Sequence, residues 1–109
     1  MAVRLVSDQM LEGAIFDNEV TVVTFMSVVS EACARFSDEL EAVALVLGDK
    51  APFFRIDVME NPTAAKQFKI NEIPTTVVFR EGKEVLRVTG PHARKELHER
   101  LLPSVKKSV

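Results

Sequence analysis

Two side chains in this sequence are spaced to act together: Ser30 and Cys33, separated by Glu31 and Ala32. A thiol in the first turn of a helix gains from the helix N-terminus, which stabilises a thiolate and favours attack on a disulfide. A serine hydroxyl needs a dedicated base before it becomes a nucleophile. The two histidines, His92 and His98, fall on or near the last helical segment, and nothing in the sequence assigns either to Ser30. Ser30 therefore reads first as a helix N-cap, worth about 1 kcal/mol. Cys33 carries two readings. It lies on an apolar stripe with Phe36 and Leu40, which suits a small buried hydrophobe, and Glu31 nearby opposes a thiolate. Its place at the helix start favours reactivity. It is the only cysteine in the chain, so an internal disulfide is excluded.

Composition narrows the remaining classes. The chain has 109 residues, 47% of them hydrophobic and 28% charged, which suits one globular domain spanning 1–109. Fourteen basic residues stand against 16 acidic ones, a net charge of -2 that gives no case for nucleic acid or a membrane surface. Lys106 and Lys107 make only a short basic tail. The seven Phe fall mainly at core-facing positions, and with no Tyr or Trp there is no base-stacking platform. One Cys and two distant His do not make a metal site, and no Gly-rich loop cradles a phosphate, so neither metal nor cofactor is expected. No apolar run approaches the ~20 residues that span a bilayer. The start, Met1 to Asp8, lacks the pattern of a signal peptide, so a cytoplasmic location is expected.

These side chains need elements to hold them. Ala2 to Val6 is short and β-prone. Ser7 or Asp8 then caps a helix to about Phe16, with Met10, Leu11, Ala14 and Ile15 at helical spacing. Val20 to Ser27 is β-branched and apolar on both faces, as a central covered strand reads. After Ser30, the spacing of Cys33, Phe36, Leu40, Val43, Ala44 and Leu47 predicts a long helix with one stripe facing the core, stopped by Gly48. Phe53 to Val58 reads as another buried strand. Asn61-Pro62 is a cap followed by a first-turn proline, opening a short helix to about Phe68. Thr75 to Arg80 and Glu84 to Thr89 read as strands joined at Glu81-Gly82. A last helix runs to about Leu102, with Leu97, Leu101 and Leu102 on its inner side. The order β-α-β-α-β-α-β-β-α implies an α/β fold: a mixed sheet of four to five strands with helices on both faces.

Three segments carry a resemblance to the thioredoxin family over nearly the whole chain. Val22 to Ser27 followed by Ser30-Glu31-Ala32-Cys33 is similar to the family's central strand and active-site turn. Phe54 to Pro62 resembles its strand ending in an acidic stretch. Phe68 to Lys83, containing Ile73-Pro74-Thr75, resembles the segment in which the family holds a cis proline beside that turn. Gly90 falls where the family places a glycine near the substrate groove. The resemblance implies the thioredoxin fold, and a groove formed by Val29, Ile73, Pro74, Thr75 and Gly90 that offers backbone to an extended peptide. The departures concern chemistry. The family's nucleophilic cysteine aligns with Ser30 and its resolving cysteine with Cys33. Its flanking tryptophans align with Met26 and Val29, its buried acid with Thr24, and its helix-kinking proline near Asp38.

Two functions are therefore expected to compete. In the first, the chain is a redox-impaired, monomeric module that binds a protein or peptide, such as a thiol or disulfide protein, through the groove beside Pro74. In the second, it is a thiol-disulfide oxidoreductase. Either Ser30 replaces a natural cysteine, or Cys33 performs monothiol chemistry alone. An apolar patch of Met26, Val28, Val29, Ile73 and Pro91 favours the first if it is exposed; the alternative is that Met26 and Val28 are core.

Overall fold

The computed structural model describes residues 1–106, so Lys107 lies outside the described residues. In chain order the elements are β1 (Val3–Leu5), α1 (Asp8–Phe16), β2 (Val20–Met26), α2 (Glu31–Leu47), β3 (Phe53–Asp57), α3 (Pro62–Gln67), β4 (Thr75–Arg80), β5 (Lys83–Thr89) and α4 (Arg94–Val105). The five strands form one sheet in the order β1-β3-β2-β4-β5. β1 and β2 run parallel to β3, whereas β4 is antiparallel to β2 and β5 to β4. The β-branched run of β2 thus takes the middle of the sheet, where both faces are covered.

Alternation along the strands sends side chains to two cores. Val20 and Val22 join Phe53 and Val78 beneath α2 and α4, against Phe36, Leu40, Leu47, Leu97 and Leu101. Val23 and Phe25 join Ile56, Val77 and Phe79 beneath α1 and α3, against Leu11, Ile15 and Ala64. The period of two in β2 is therefore read by different helices on opposite faces. At the free edge of β1, the Glu41 carboxylate of α2 accepts from the backbone N–H groups of Ala2 and Val3, occupying donors that would otherwise invite another strand.

The hairpin between β4 and β5 turns on Glu81 (φ 51°) and Gly82 (φ 83°). Two positive φ values match the twist of the flanking strands. A Cβ at Gly82 would fall 2.2 Å from the Phe16 ring, so a larger residue there would push that exposed ring aside.

Several expectations need correction. Met10 is 59% exposed, because the buried face of α1 is made by Leu11 and Ile15 and Met10 stands a third of a turn away. Of the seven Phe, Phe16 is largely exposed, lying over Gly82 instead of entering a core. Ser7 and Asn61 occupy N-cap positions but their side chains make no cap bond. The Asp8 carboxylate instead accepts from Thr63 N and Ala64 N at the start of α3 (3.2 and 2.8 Å), while Asn61 Oδ1 accepts from Asp8 N (2.9 Å). The two helix starts cap each other across the fold. α4 does not stop near Leu102 but passes through Pro103 to Val105. Pro103 removes one helical bond, yet Val105 is fully buried, and Arg80 donates to the carbonyls of Ser104 (2.8 Å) and Lys106 (3.0 Å). Strand ends also shift by one residue: β2 ends at Met26, β3 at Asp57, and β5 begins at Lys83.

Candidate functional site

Strand register brings the distant segments together. Phe25 of β2 is level with Thr75 of β4, and Thr75 with Thr89 of β5. Ile73 and Pro74, which precede Thr75, therefore stand at the same end of the sheet as the Ser27–Ser30 turn that follows β2. The Ile73–Pro74 peptide bond is cis, and the Pro74 carbonyl accepts from Gly90 N at 2.8 Å. Gly90 has φ 97°, a conformation that side chains with a Cβ rarely adopt. Thr75 and Pro74 are buried and Ile73 is half-buried. Among the described residues, the backbone N–H and C=O of Ile73 have no hydrogen-bond partner.

The turn itself is held by short polar contacts. Ser30 N donates to Ser27 O (3.2 Å), and Val29 N donates to the buried Ser27 hydroxyl (3.3 Å). This pins Val28 and Val29 at the tip, 69% and 82% exposed. Ser30, with extended backbone at φ -89° and ψ 125°, accepts from Cys33 N through Oγ at 3.3 Å. Its oxygen is used as a helix cap, and no histidine approaches it: His92 bonds Glu96 and the Thr89 carbonyl instead. Cys33 is 4% exposed, one turn inside α2. Glu31 is solvated and faces Arg35 at 3.9 Å. Of the apolar candidates around the turn, Val28, Val29 and Pro91 are exposed and Met26 and Ile73 are half-buried. Val28 is thus a surface residue.

Beneath the turn, Thr24 of β2 and Thr76 of β4 are level with each other and share a buried hydroxyl–hydroxyl bond of 2.8 Å. No carboxylate occupies this position, and the buried pair is neutral. Removing one hydroxyl leaves the other without its partner. Thr24→Val is expected to cost about 1–2 kcal/mol in chemical denaturation, and adding Thr76→Val is expected to recover part of that loss.

Two clusters bordering the site were not legible in the sequence. Arg87 of β5 donates to the carbonyls of Phe68 (2.7 Å) and Lys69 (3.1 Å), fixing where the segment leading to Pro74 begins. Its hydrogen bond with Glu84 holds the guanidinium above its ordinary pKa. On the other flank of the turn, a surface groove of about 530 Å³ runs along the carboxyl ends of β1, β3 and β2, with Arg55, Asp57 and Glu60 among its lining and Met26 and Val28 on its wall. The only sequence signal for this groove was a charge at every second position, Arg55 and Asp57, in an otherwise apolar strand.

This architecture has known counterparts. The family model described as Thioredoxin matches residues 2–102. The thioredoxin of Staphylococcus aureus is 31% identical over 99 residues, an alignment covering 91% of this chain and 94% of that one. The thioredoxin of Staphylococcus saprophyticus is 32% identical with the same coverage. Among solved structures, a mutant thioredoxin from Halobacterium salinarum aligns with a TM-score of 0.84 at 26% identity, covering 97% of this chain and 92% of that one. The Malassezia sympodialis thioredoxin shows the same fold, with a TM-score of 0.87 at 23% identity and coverage of 95% and 91%. With a family match over residues 2–102 and relatives above 30% identity along nearly their whole length, this chain belongs to the thioredoxin family.

Proposed function

We propose that this chain is a thioredoxin-family protein without dithiol activity, which binds an extended segment of a partner protein at the groove beside Pro74. One observation carries the reading: the oxygen of Ser30 stands where an attacking sulfur would be needed and is spent on Cys33 N. Disulfide exchange needs an exposed thiolate to form the mixed disulfide and a second thiol to resolve it. The chain holds one thiol, and that thiol is buried. The groove loses nothing by this exchange of atoms. Ile73 offers an unpaired N–H and C=O to an incoming strand, and Val29 and Ile73 supply apolar contact beside it. Main-chain pairing with pockets for alternate side chains is a recurring way to hold an extended peptide. The expected partner is a protein, including one that carries thiols or disulfides, the chain acts as a single-domain monomer, and the setting is cytoplasmic.

Two measurements test the reading. Insulin reduction by dithiothreitol should proceed at the uncatalysed rate when the protein is added; turnover above that rate would favour thiol-disulfide oxidoreductase chemistry at Cys33. A titration with S-alkylated insulin B chain, an extended peptide without thiols, should shift the amide resonances of Val29, Ile73, Thr75 and Gly90. Val29→Glu, which puts a charge on the apolar rim, is expected to weaken that binding about tenfold or more. Shifts spread evenly over the surface would count against the groove.

A further inference from the structure

His92 stands between two acceptors. Nδ1 is 2.6 Å from Glu96 Oε2 on α4, and Nε2 is 2.8 Å from the Thr89 carbonyl at the end of β5. A carbonyl only accepts, so Nε2 must carry a hydrogen to bond there. An ionised carboxylate also only accepts, so Nδ1 must carry one as well. A neutral imidazole has a single N–H and makes one of these bonds; the imidazolium makes both. The ring's side chain is 25% exposed and Glu96 is 54% exposed.

The two bonds have a structural consequence. They fasten the last carbonyl of β5 to the first turn of α4, with Gly90 and Pro91 between them. Gly90 N is the group that donates to the Pro74 carbonyl, and His92 N donates back to Gly90 O at 3.2 Å. We propose that His92 is a positioning residue: bridging Thr89 and Glu96, it holds Gly90 against Pro74 and sets the rigidity of that edge of the groove. The consequence for binding rests on the function proposed above; the clamp itself does not.

The other charged groups near the ring have different engagements. From α2, Arg35 and Glu39 line the same hollow of about 250 Å³ as Pro91 and His92. Glu39 is taken by Arg94 of α4, and Arg35 faces Glu31. Glu96 is therefore the carboxylate bonded to the imidazole. The clamp is complete when both ring nitrogens carry a hydrogen and loses one bond when only one does.

The test uses amide hydrogen exchange of the free protein and needs no partner. His92→Ala should speed exchange at Gly90 N about fivefold or more, while the Val77 amide in the core keeps its protection. Glu96→Gln and Glu96→Ala discriminate a clamp from a merely structural role. The Gln amide can donate to Nδ1 while Nε2–H still serves Thr89, so Gly90 should keep its native protection, whereas Ala leaves Nδ1 without its partner and should lose protection as His92→Ala does. Unchanged Gly90 exchange in His92→Ala, or a loss in Glu96→Gln as large as in Glu96→Ala, overturns the proposal. Because each readout concerns the free protein, it fails or stands separately from peptide binding.

Discussion

Ser30→Cys is expected to convert the turn into a working dithiol and to raise insulin reduction by dithiothreitol at least tenfold above the native protein, which should stay at the uncatalysed rate. The backbone already has the required form. Ser30 is an extended N-cap, its side chain sits over the first turn of α2, and Cys33 is one turn further in. A thiol at position 30 would meet the unpaired N–H groups and dipole of that turn, which lower thiol pKa values. Its thiolate would attack a substrate disulfide and form a mixed disulfide. Cys33 would then displace the substrate thiol and close the internal bridge, and dithiothreitol would return both sulfurs to thiols. Mass spectrometry of the air-oxidised variant should show the loss of two hydrogens. If the variant oxidises but does not turn over, the deficiency lies in what surrounds the pair: the neutral Thr24–Thr76 hydroxyls in place of a proton acceptor, or a tip of Val28 and Val29 that does not seat the substrate.

What was legible in the sequence follows from the range of the interactions involved. β2 and α2 are specified by patterns within the segment: a β-branched run covered on both faces, and a stripe from Cys33 to Leu47 whose six members are all buried. The Ser30 cap is also local, because its partner is three residues away. The segments around Pro74 and Gly90 were found through family resemblance, and the register of β2, β4 and β5 explains why they meet the turn. What escaped depends on contacts between residues far apart in the chain. Asp8 caps α3 from 55 positions away. Arg87 anchors carbonyls on the other side of the β4–β5 hairpin. The last turn of α4 survives Pro103 because Val105 reaches the core and Arg80 meets the carbonyls of Ser104 and Lys106 at the helix end. His92 escaped for a different reason: its acceptors, Thr89 and Glu96, are near in sequence, but they meet the ring only because the chain turns at Gly90.

The largest loss of stability is expected from Phe25→Ala. Phe25 is fully buried in the core beneath α1 and α3, and its ring lies 6.0 Å from that of Phe68, which meets Phe79 edge-on at 5.2 Å. Truncation removes the transfer free energy of the ring and opens a cavity between β2 and α3, a loss of about 3–5 kcal/mol. A domain of this size has only about 5–15 kcal/mol in total, so the melting temperature should fall by roughly 15–30 °C. Leu45→Ala on the exposed face of α2 should change stability by about 0.5 kcal/mol or less, because Leu45 is 73% exposed and forfeits little. The position of Phe25 adds a second expectation. It is level with Thr75 and next in sequence to Thr24, so the ring that fills this core also supports the residues beside Pro74. Phe25→Leu keeps most of the volume and should cost less than Phe25→Ala. If exchange at the Gly90 amide rises with the loss of volume across the two variants, while Leu97 and Leu101 on the opposite face keep their protection, the core beneath α1 and α3 sets the rigidity of the groove. If both faces loosen together, the sheet carries the effect to all of its neighbours and the groove has no special dependence on Phe25.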